Sequence, residues 1–402
     1  MRLELATYPV DPIDLETVAA SLSVDDPRLA GVNVSVVRPE TSVRLTHVLD
    51  AVEPRVKADD PESTFPGALG TLVPAGSGRT NRVGGCAVVA CADFPAEERP
   101  LHEQESIIDM AGPGASYSRL SATTNVVLEF EPAPDVGNED FESAVRETKL
   151  RVARDIAAQT SGREATEVES FEYELGGSPN GLPSVAILLQ LSSLGPLYEI
   201  YLYGSTLDGL QPTPLNPLEV LDGALTCGEY HWAGLRNTTY SFQNSALIRE
   251  LLTAEGERLR LAGLVACRGY NQSAKDKERA AMLAAKLARE LAAEGAIVTT
   301  DAGGNSHTDT MLTVRACERA GVRTVALVAE MGGLTDWVPE ADSVVSTGNA
   351  EELVPEWRPE TVLGGDVLLD GRPAADCGPV PVRNYLGATC QMGDMDLRAV
   401  SW

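Results

Sequence analysis

The sequence predicts an α/β protein, with an α+β N-terminal half and a parallel three-layer αβα sheet in the C-terminal half. Three observations predict it. Compact apolar runs set between turn-rich stretches fill the first half. From about residue 259, short apolar runs alternate with amphipathic helical patterns, the order expected of parallel βαβ units. At 402 residues and 43% hydrophobic side chains, the chain can bury the cores of two or three domains.

The elements follow in order. Met1-Arg2-Leu3-Glu4-Leu5 alternates like a strand, and 32–37, 86–91 and 124–130 read as further strands. A helix is expected over 140–158, with Phe141, Ala144, Val145, Leu150 and Ile156 on one stripe. Strand-like runs come next at 171–175, 184–191 and 198–203, and the Gly-, Pro- and Asn-rich stretch 204–223 reads as a connecting loop. Residues 261–267 form a near-continuous apolar run, as a buried parallel strand does. Ser273 is placed to cap a helix over 274–294 whose stripe is Ala280, Leu283, Ala284, Leu287 and Leu291, and Gly295 stops it. A strand over 296–300, a helix over 308–320, a strand over 324–329 and a strand at 343–346 complete the pattern. The organisation expected is an N-terminal half, 1–223, and a junction with the parallel half, 224–402.

Composition narrows the function. With 59 acidic against 32 basic side chains the net charge is −27, and only five basic residues are lysines, so neither nucleic acid nor an anionic membrane surface is an expected partner. No apolar run reaches the roughly 18 residues of a membrane span, the N-terminus lacks a signal-peptide core, and seven scattered cysteines form no CxxC pair. Cytoplasmic residence is the expectation.

In an open parallel sheet, ligands bind beyond the carboxyl ends of the strands. That rule selects 268–272, 301–309 and 330–334. The middle loop is the richest: Gly303 and Gly304 allow close backbone approach, Asn305 beside them is a substrate-binding candidate, and Asp301, His307 and Asp309 supply acid–base groups together with a helix N-terminus. The same residue types also make helix caps, with Thr308 and Asp309 capping and the glycines turning the chain. His307 and Glu330 are competent metal ligands, but one imidazole beside scattered carboxylates fits structural roles better. No GxGxxG, P-loop or GxSxG signature is present. Between the halves, Cys227, His231 and Trp232 precede Asn237-Thr238-Thr239-Tyr240, gathering a thiol, an imidazole and hydroxyls.

The ordered phrases Ser42-Val43-Arg44, Glu53-Pro54-Arg55-Val56-Lys57, Gly78-Arg79-Thr80-Asn81, Ile107-Ile108-Asp109-Met110, Gly112-Pro113-Gly114-Ala115, Asn237-Thr238-Thr239-Tyr240, Asp276-Lys277-Glu278-Arg279, Gly304-Asn305 to Thr308-Asp309 and Gly387-Ala388-Thr389 run over nearly the whole chain. In them the sequence resembles the proprotein subunit of component B of glycine, sarcosine and betaine reductases. The resemblance implies reductive cleavage of a C–N bond in a small amino acid or amine, a partner subunit bearing selenocysteine or cysteine, and an oligomeric complex. It also implies a pyruvoyl group made by self-cleavage ahead of a cysteine three residues before Asn-Thr-Thr-Tyr. That position is Gly234 here. Glycine has no Cβ leaving group, so an uncleaved, pyruvoyl-free homologue is the expectation, with processing at Cys227 or use of Ser241 as the alternatives. The functional alternatives are a redirected lyase or transferase, with or without a metal, using His231, Asp301, His307, Asp309 and Glu330, or a non-catalytic scaffold for a reductase-like partner. In each enzymatic reading, Gly234 and Asn237 to Tyr240 line the site with the 301–309 loop and Glu330.

Overall fold

The structure is a computed structural model that describes residues 1–11, 13–21, 25–92, 106–175, 181–195, 198–228, 233–301, 304–330, 340–368, 371–393 and 398–400. Its largest sheet has seven strands, in the order Thr213–Leu215, Arg260–Arg268, Ser184–Leu191, Gly295–Thr299, Arg323–Glu330, Ser343–Asn349 and Arg398–Val400. The five central strands are parallel and the two edges antiparallel. Strand Ser184–Leu191 lies at the heart of this sheet, so strands from either side of residue 223 share it.

Both faces of the sheet are covered. On one, Ala186, Leu188, Val265, Val298 and Val328 pack against Ala284, Ala285 and Ala288 of helix Ala274–Glu290 and Val314 and Cys317 of helix Asn305–Arg319. Alanines on the helix let it approach closely. On the other, Ile187, Leu189, Leu264 and Leu327 meet Leu218, Phe242, Ile248 and Leu251 from three short helices. These are the three expected layers.

In the N-terminal half, strands Leu29–Val37, Thr124–Pro132, Cys86–Ala92 and Val48–Val52 form a four-stranded sheet in that order. Helix Asn138–Ala158 packs Phe141, Val145, Ala153 and Ile156 against it. A second four-stranded sheet pairs Arg2–Pro9 with Glu167–Glu172 and Gly78–Gly84. The C-terminal segment then returns: Thr361–Leu363 pairs in parallel with Val43–Leu45. Beneath that pairing Arg44 forks onto Asp109 at 2.7 and 3.0 Å, and the Tyr385 hydroxyl donates to the same carboxylate at 2.9 Å.

Several boundaries differ from the sequence reading. The strand expected at 171–175 is Glu167–Glu172, a half-exposed edge strand with alternating rather than continuous apolar residues. The stretch 204–223 holds two short strands and helix Pro217–Leu221, whose capping box (Asn216 with Glu219) hides among loop-type residues. The helix from 274, capped by Ser273 as expected, ends at Glu290 rather than 294. Ala292 adopts a left-handed φ of 55° after it, and Gly295 is already in the next strand. An L-residue there carries a steric penalty that glycine avoids. Ala292→Gly is expected to stabilise the fold by roughly 0.5–1 kcal/mol in urea unfolding, whereas helix propensity alone would make it destabilising.

Candidate functional site

The junction after strand Leu225–Cys227 crosses two supports. The first is the outer edge of strand Val48–Val52. There the buried Arg236 guanidinium donates to the Val48 carbonyl and to Ser106 Oγ (2.7 Å). The Thr239 amide and hydroxyl reach the Asp50 carboxylate at 2.9 and 2.6 Å, and Gln243 exchanges bonds with the backbone of Glu53. An edge strand left unpaired is thus capped by side chains. Thr238 caps helix Thr239–Gln243 by accepting from the Ser241 amide, which gives Ser241 a local structural bond, and Tyr240 buries its ring in the N-terminal core beside Arg119.

The second support is the C-terminal segment 383–389. The Gly234 amide donates to the Arg383 carbonyl at 2.7 Å, the Gly387 amide donates to the Ala233 carbonyl at 3.0 Å, and the Thr389 amide and hydroxyl both donate to the Gly234 carbonyl, at 2.6 and 2.8 Å. The Gly387-Ala388-Thr389 phrase therefore cradles the backbone at the position where the resemblance places the pyruvoyl group. A Cβ at Gly234 would lie 2.7 Å from Arg383 Cα and 3.0 Å from its carbonyl carbon and oxygen. Those are backbone atoms, which cannot rotate aside, so the residues around position 234 do not fit the group.

Cys227 offers no evident second place for it. It is fully buried in a regular strand opposite Ile200, its amide donates to Thr239 Oγ1 at 2.9 Å, and its carbonyl accepts from Lys149 Nζ.

The junction meets the parallel sheet at one point. Asp301 follows strand Gly295–Thr299 and accepts from the Ser192 amide at 2.7 Å and from Asn237 Nδ2 at 3.2 Å. Ser192 follows strand Ser184–Leu191, so the contact sits at the carboxyl ends of two adjacent strands. Burial pushes the Asp301 carboxyl up to about 7, against the pull of the Ser192 and Asn237 hydrogen bonds. Among the described residues, the other end of the Asn237 amide, Oδ1, is buried without a hydrogen-bond partner, and so is Thr300 Oγ1 beside Asp301. A buried acceptor left unpaired is costly and suits a bound donor.

Asp309 and His307 do different work. Asp309 holds Lys277 Nζ at 2.5 Å and Asn271 Nδ2 at 3.0 Å, and burial still raises its carboxyl above the usual range. Lys277 also reaches the Asn305 carbonyl. His307 Nδ1 accepts from the Gly304 amide at 3.1 Å, which puts the proton of the neutral ring on Nε2, and burial lowers its pKa to about 4. Helix Asn305–Arg319 is capped through Gly304 and His307, not through Thr308 or Asp309, because Asp309 is spent on Lys277. Glu330 ends its strand half-buried, its carbonyl accepting from the Ala350 amide. His231, Gly303 and 331–334 lie outside the described residues. Among the described residues no three His, Cys, Asp or Glu side chains converge on a metal position. Two cavities, of about 750 Å³ between helices Ala274–Glu290 and Asn305–Arg319 and about 670 Å³ below the amino ends of the sheet, do not include Asn237 or Asp301.

Of the sequence candidates, the structure thus joins Asn237 with Asp301 and Cys227 with Thr239, and groups Asn305 with Asp309 around Lys277. Sequence reasoning missed Asp50, Lys149, Ser192, Arg236 and the Lys277–Asp309 pair. No signal existed for Lys149: with Glu142 and Arg146 it forms an i, i+4, i+7 polar row on a helix that also carries Glu139, Asp140, Glu147, Arg151, Arg154 and Asp155.

The Asp301 carboxyl has a checkable signature. Its folded pKa lies above the ordinary unfolded value, so its contribution to stability is fully present below about pH 4 and is lost as pH rises through about 7. Asp301→Asn is expected to be more stable than the parent at pH 8, with the difference vanishing toward pH 4 in urea titrations.

Comparison with known proteins adds to this geometry. Residues 12–375 match the family described as glycine/sarcosine/betaine reductase component B subunits. The chain is 32% identical over 405 aligned positions to the glycine reductase complex component B subunits alpha and beta of Acetoanaerobium sticklandii, covering 95% of this chain and 92% of that protein. It is 33% identical over 339 positions to the sarcosine reductase complex component B subunit alpha of Peptoclostridium acidaminophilum, covering 81% and 77%. The betaine reductase complex component B subunit alpha of the same organism is 31% identical, covering 91% and 88%.

Proposed function

The chain belongs to the glycine/sarcosine/betaine reductase component B family, and from that membership we propose that it is the substrate-binding subunit for reductive C–N cleavage of a small amino acid or amine, working as one continuous chain without a pyruvoyl group. The observation that carries the second half of this reading is the backbone contact at Gly234, which leaves no room for a Cβ. The first half is supported by the family match and by the Asn237–Asp301 pair at the carboxyl ends of the sheet.

A substrate N–H finds two acceptors there, Asn237 Oδ1, which has no partner among the described residues, and the Asp301 carboxylate. A positively charged amine also favours ionisation of Asp301, so binding draws its carboxyl below 7 and releases a proton near neutral pH. This chain has no CxxC pair. The reducing electrons are therefore assigned to a partner subunit's thiolate or selenolate, which attacks the α-carbon while the nitrogen leaves with the bonding pair as free amine. Relatives carry names of subunits of multi-component complexes, which supports such a partner. A proton-transferring lyase is the second reading, favoured only by the near-neutral carboxyl of Asp301.

Calorimetric titration with glycine, sarcosine and betaine tests the site. Glycine or sarcosine is expected to bind with proton release at pH 7, and betaine, whose nitrogen carries no hydrogen, to bind at least about tenfold more weakly, the worth of one hydrogen bond to a charged group. Asn237→Ala is expected to narrow that preference, because one of the two acceptors is lost. Equal binding of all three, or an unaltered preference in the variant, would remove the assignment.

A further inference from the structure

Helix Asn138–Ala158 buries two faces, not one. Its apolar stripe meets the N-terminal sheet, and a second row of Glu142, Arg146 and Lys149 is also buried, at 2, 8 and 1% exposure. This row faces the start of the junction. Lys149 Nζ pairs with Asp50 Oδ2 at 2.7 Å and donates to the Cys227 carbonyl. Asp50 in turn takes the amide and hydroxyl of Thr239, and Thr239 Oγ1 accepts from the Cys227 amide. One ion pair thus closes a ring through Cys227 and Thr239, the two ends of the 228–238 segment. One residue on, Gly228 presses against Glu142. A Cβ there would lie 2.2 Å from Glu142 Oε1, whose other oxygen accepts from Tyr201 OH at 2.6 Å. Arg146 completes the wall, its guanidinium 4.0 Å from the Tyr201 ring centre.

We propose that Lys149 and Asp50 are positioning residues: by holding Cys227 and Thr239 together they fix the span of the junction loop and set Asn237 against Asp301. The distances explain why the task needs a buried pair. Cys227 and Thr239 are twelve residues apart, and closing such a loop costs conformational entropy that a single exposed hydrogen bond would not offset. Inside the protein each of these groups has its partner, so opening one bond strands a charge. Glu142 and Tyr201 hold Gly228 from the opposite side. The inference rests on Asn237 and Asp301 being the amine site, but its test does not pass through binding.

The Asp301 titration, read by carboxyl carbon NMR on aspartate-labelled protein and assigned with Asp301→Asn, reports whether Asn237 is in place. Thr239→Ala removes the ring's hydroxyl, and Thr239→Ser restores it. Loss of the Asn237 donor should raise the Asp301 midpoint, by roughly one unit in Thr239→Ala, while Thr239→Ser keeps the parent value. A Thr239→Ala protein that is less stable but titrates like the parent would overturn the proposal, because a purely structural clamp behaves that way. Amide exchange in the parent protein decides the matter if the alanine variant does not fold. The Cys227 and Thr239 amides should exchange together and as slowly as those of the Cys86–Ala92 core strand. Independent or fast exchange of either would overturn it. Failure of glycine or sarcosine to bind would count against the amine site alone, leaving the clamp to be judged by these two readouts.

Discussion

The buried pair of Lys149 and Asp50 is the constraint around which the rest is arranged. Both side chains are withdrawn from water, at 1 and 0% exposure. A pair in that position is tolerated only if the remaining hydrogen-bonding positions are filled, and removing one partner of such a pair costs roughly 3–5 kcal/mol. The Cys227 carbonyl and the Thr239 amide and hydroxyl fill them. The ion pair and the junction therefore require one another. Three elements that are distant in sequence, strand Val48–Val52, helix Asn138–Ala158 and the segment after Cys227, meet only in this order.

A second set of contacts works from the C-terminal side. The chain crosses from the parallel sheet back to the N-terminal sheet through Thr361–Leu363, is pinned by Arg44, Asp109 and Tyr385, and then lays Arg383 to Thr389 along Ala233 and Gly234. The peptide at 233–234 is held by four hydrogen bonds from this segment. Its glycine is what lets two backbones come so close. The geometry of this cradle admits only glycine.

Much of this was legible in the sequence. The alternation of apolar runs and helices from 259 onward follows from side-chain periodicity, which is local, and Ser273 caps the helix it precedes. The site rule at strand carboxyl ends pointed to the loop that begins at Asp301, and Asp301 is buried there. What escaped depended on pairing over long separations. Ser184–Leu191 was recognised as a strand, but nothing in its eight residues says that it joins Arg260–Arg268 and Gly295–Thr299, so Ser192 was overlooked. The polar row Glu142, Arg146, Lys149 resembles an ordinary solvated helix face. Only the burial of Asp50 and Tyr201 against it shows otherwise. Thr308 and Asp309 have cap chemistry, yet Lys277, thirty-two residues earlier, claims Asp309. Residue type proposed the chemistry, and tertiary partners decided it.

The most direct measurement is the intact mass of the purified protein, followed by borohydride or hydroxylamine treatment to trap any carbonyl. The geometry at Gly234 and Cys227 calls for a single chain of the full 402-residue mass that gains nothing from either reagent. Two fragments, one of them carrying a trapped carbonyl at its N-terminus, would contradict it and return the chain to the processed, pyruvoyl-bearing form.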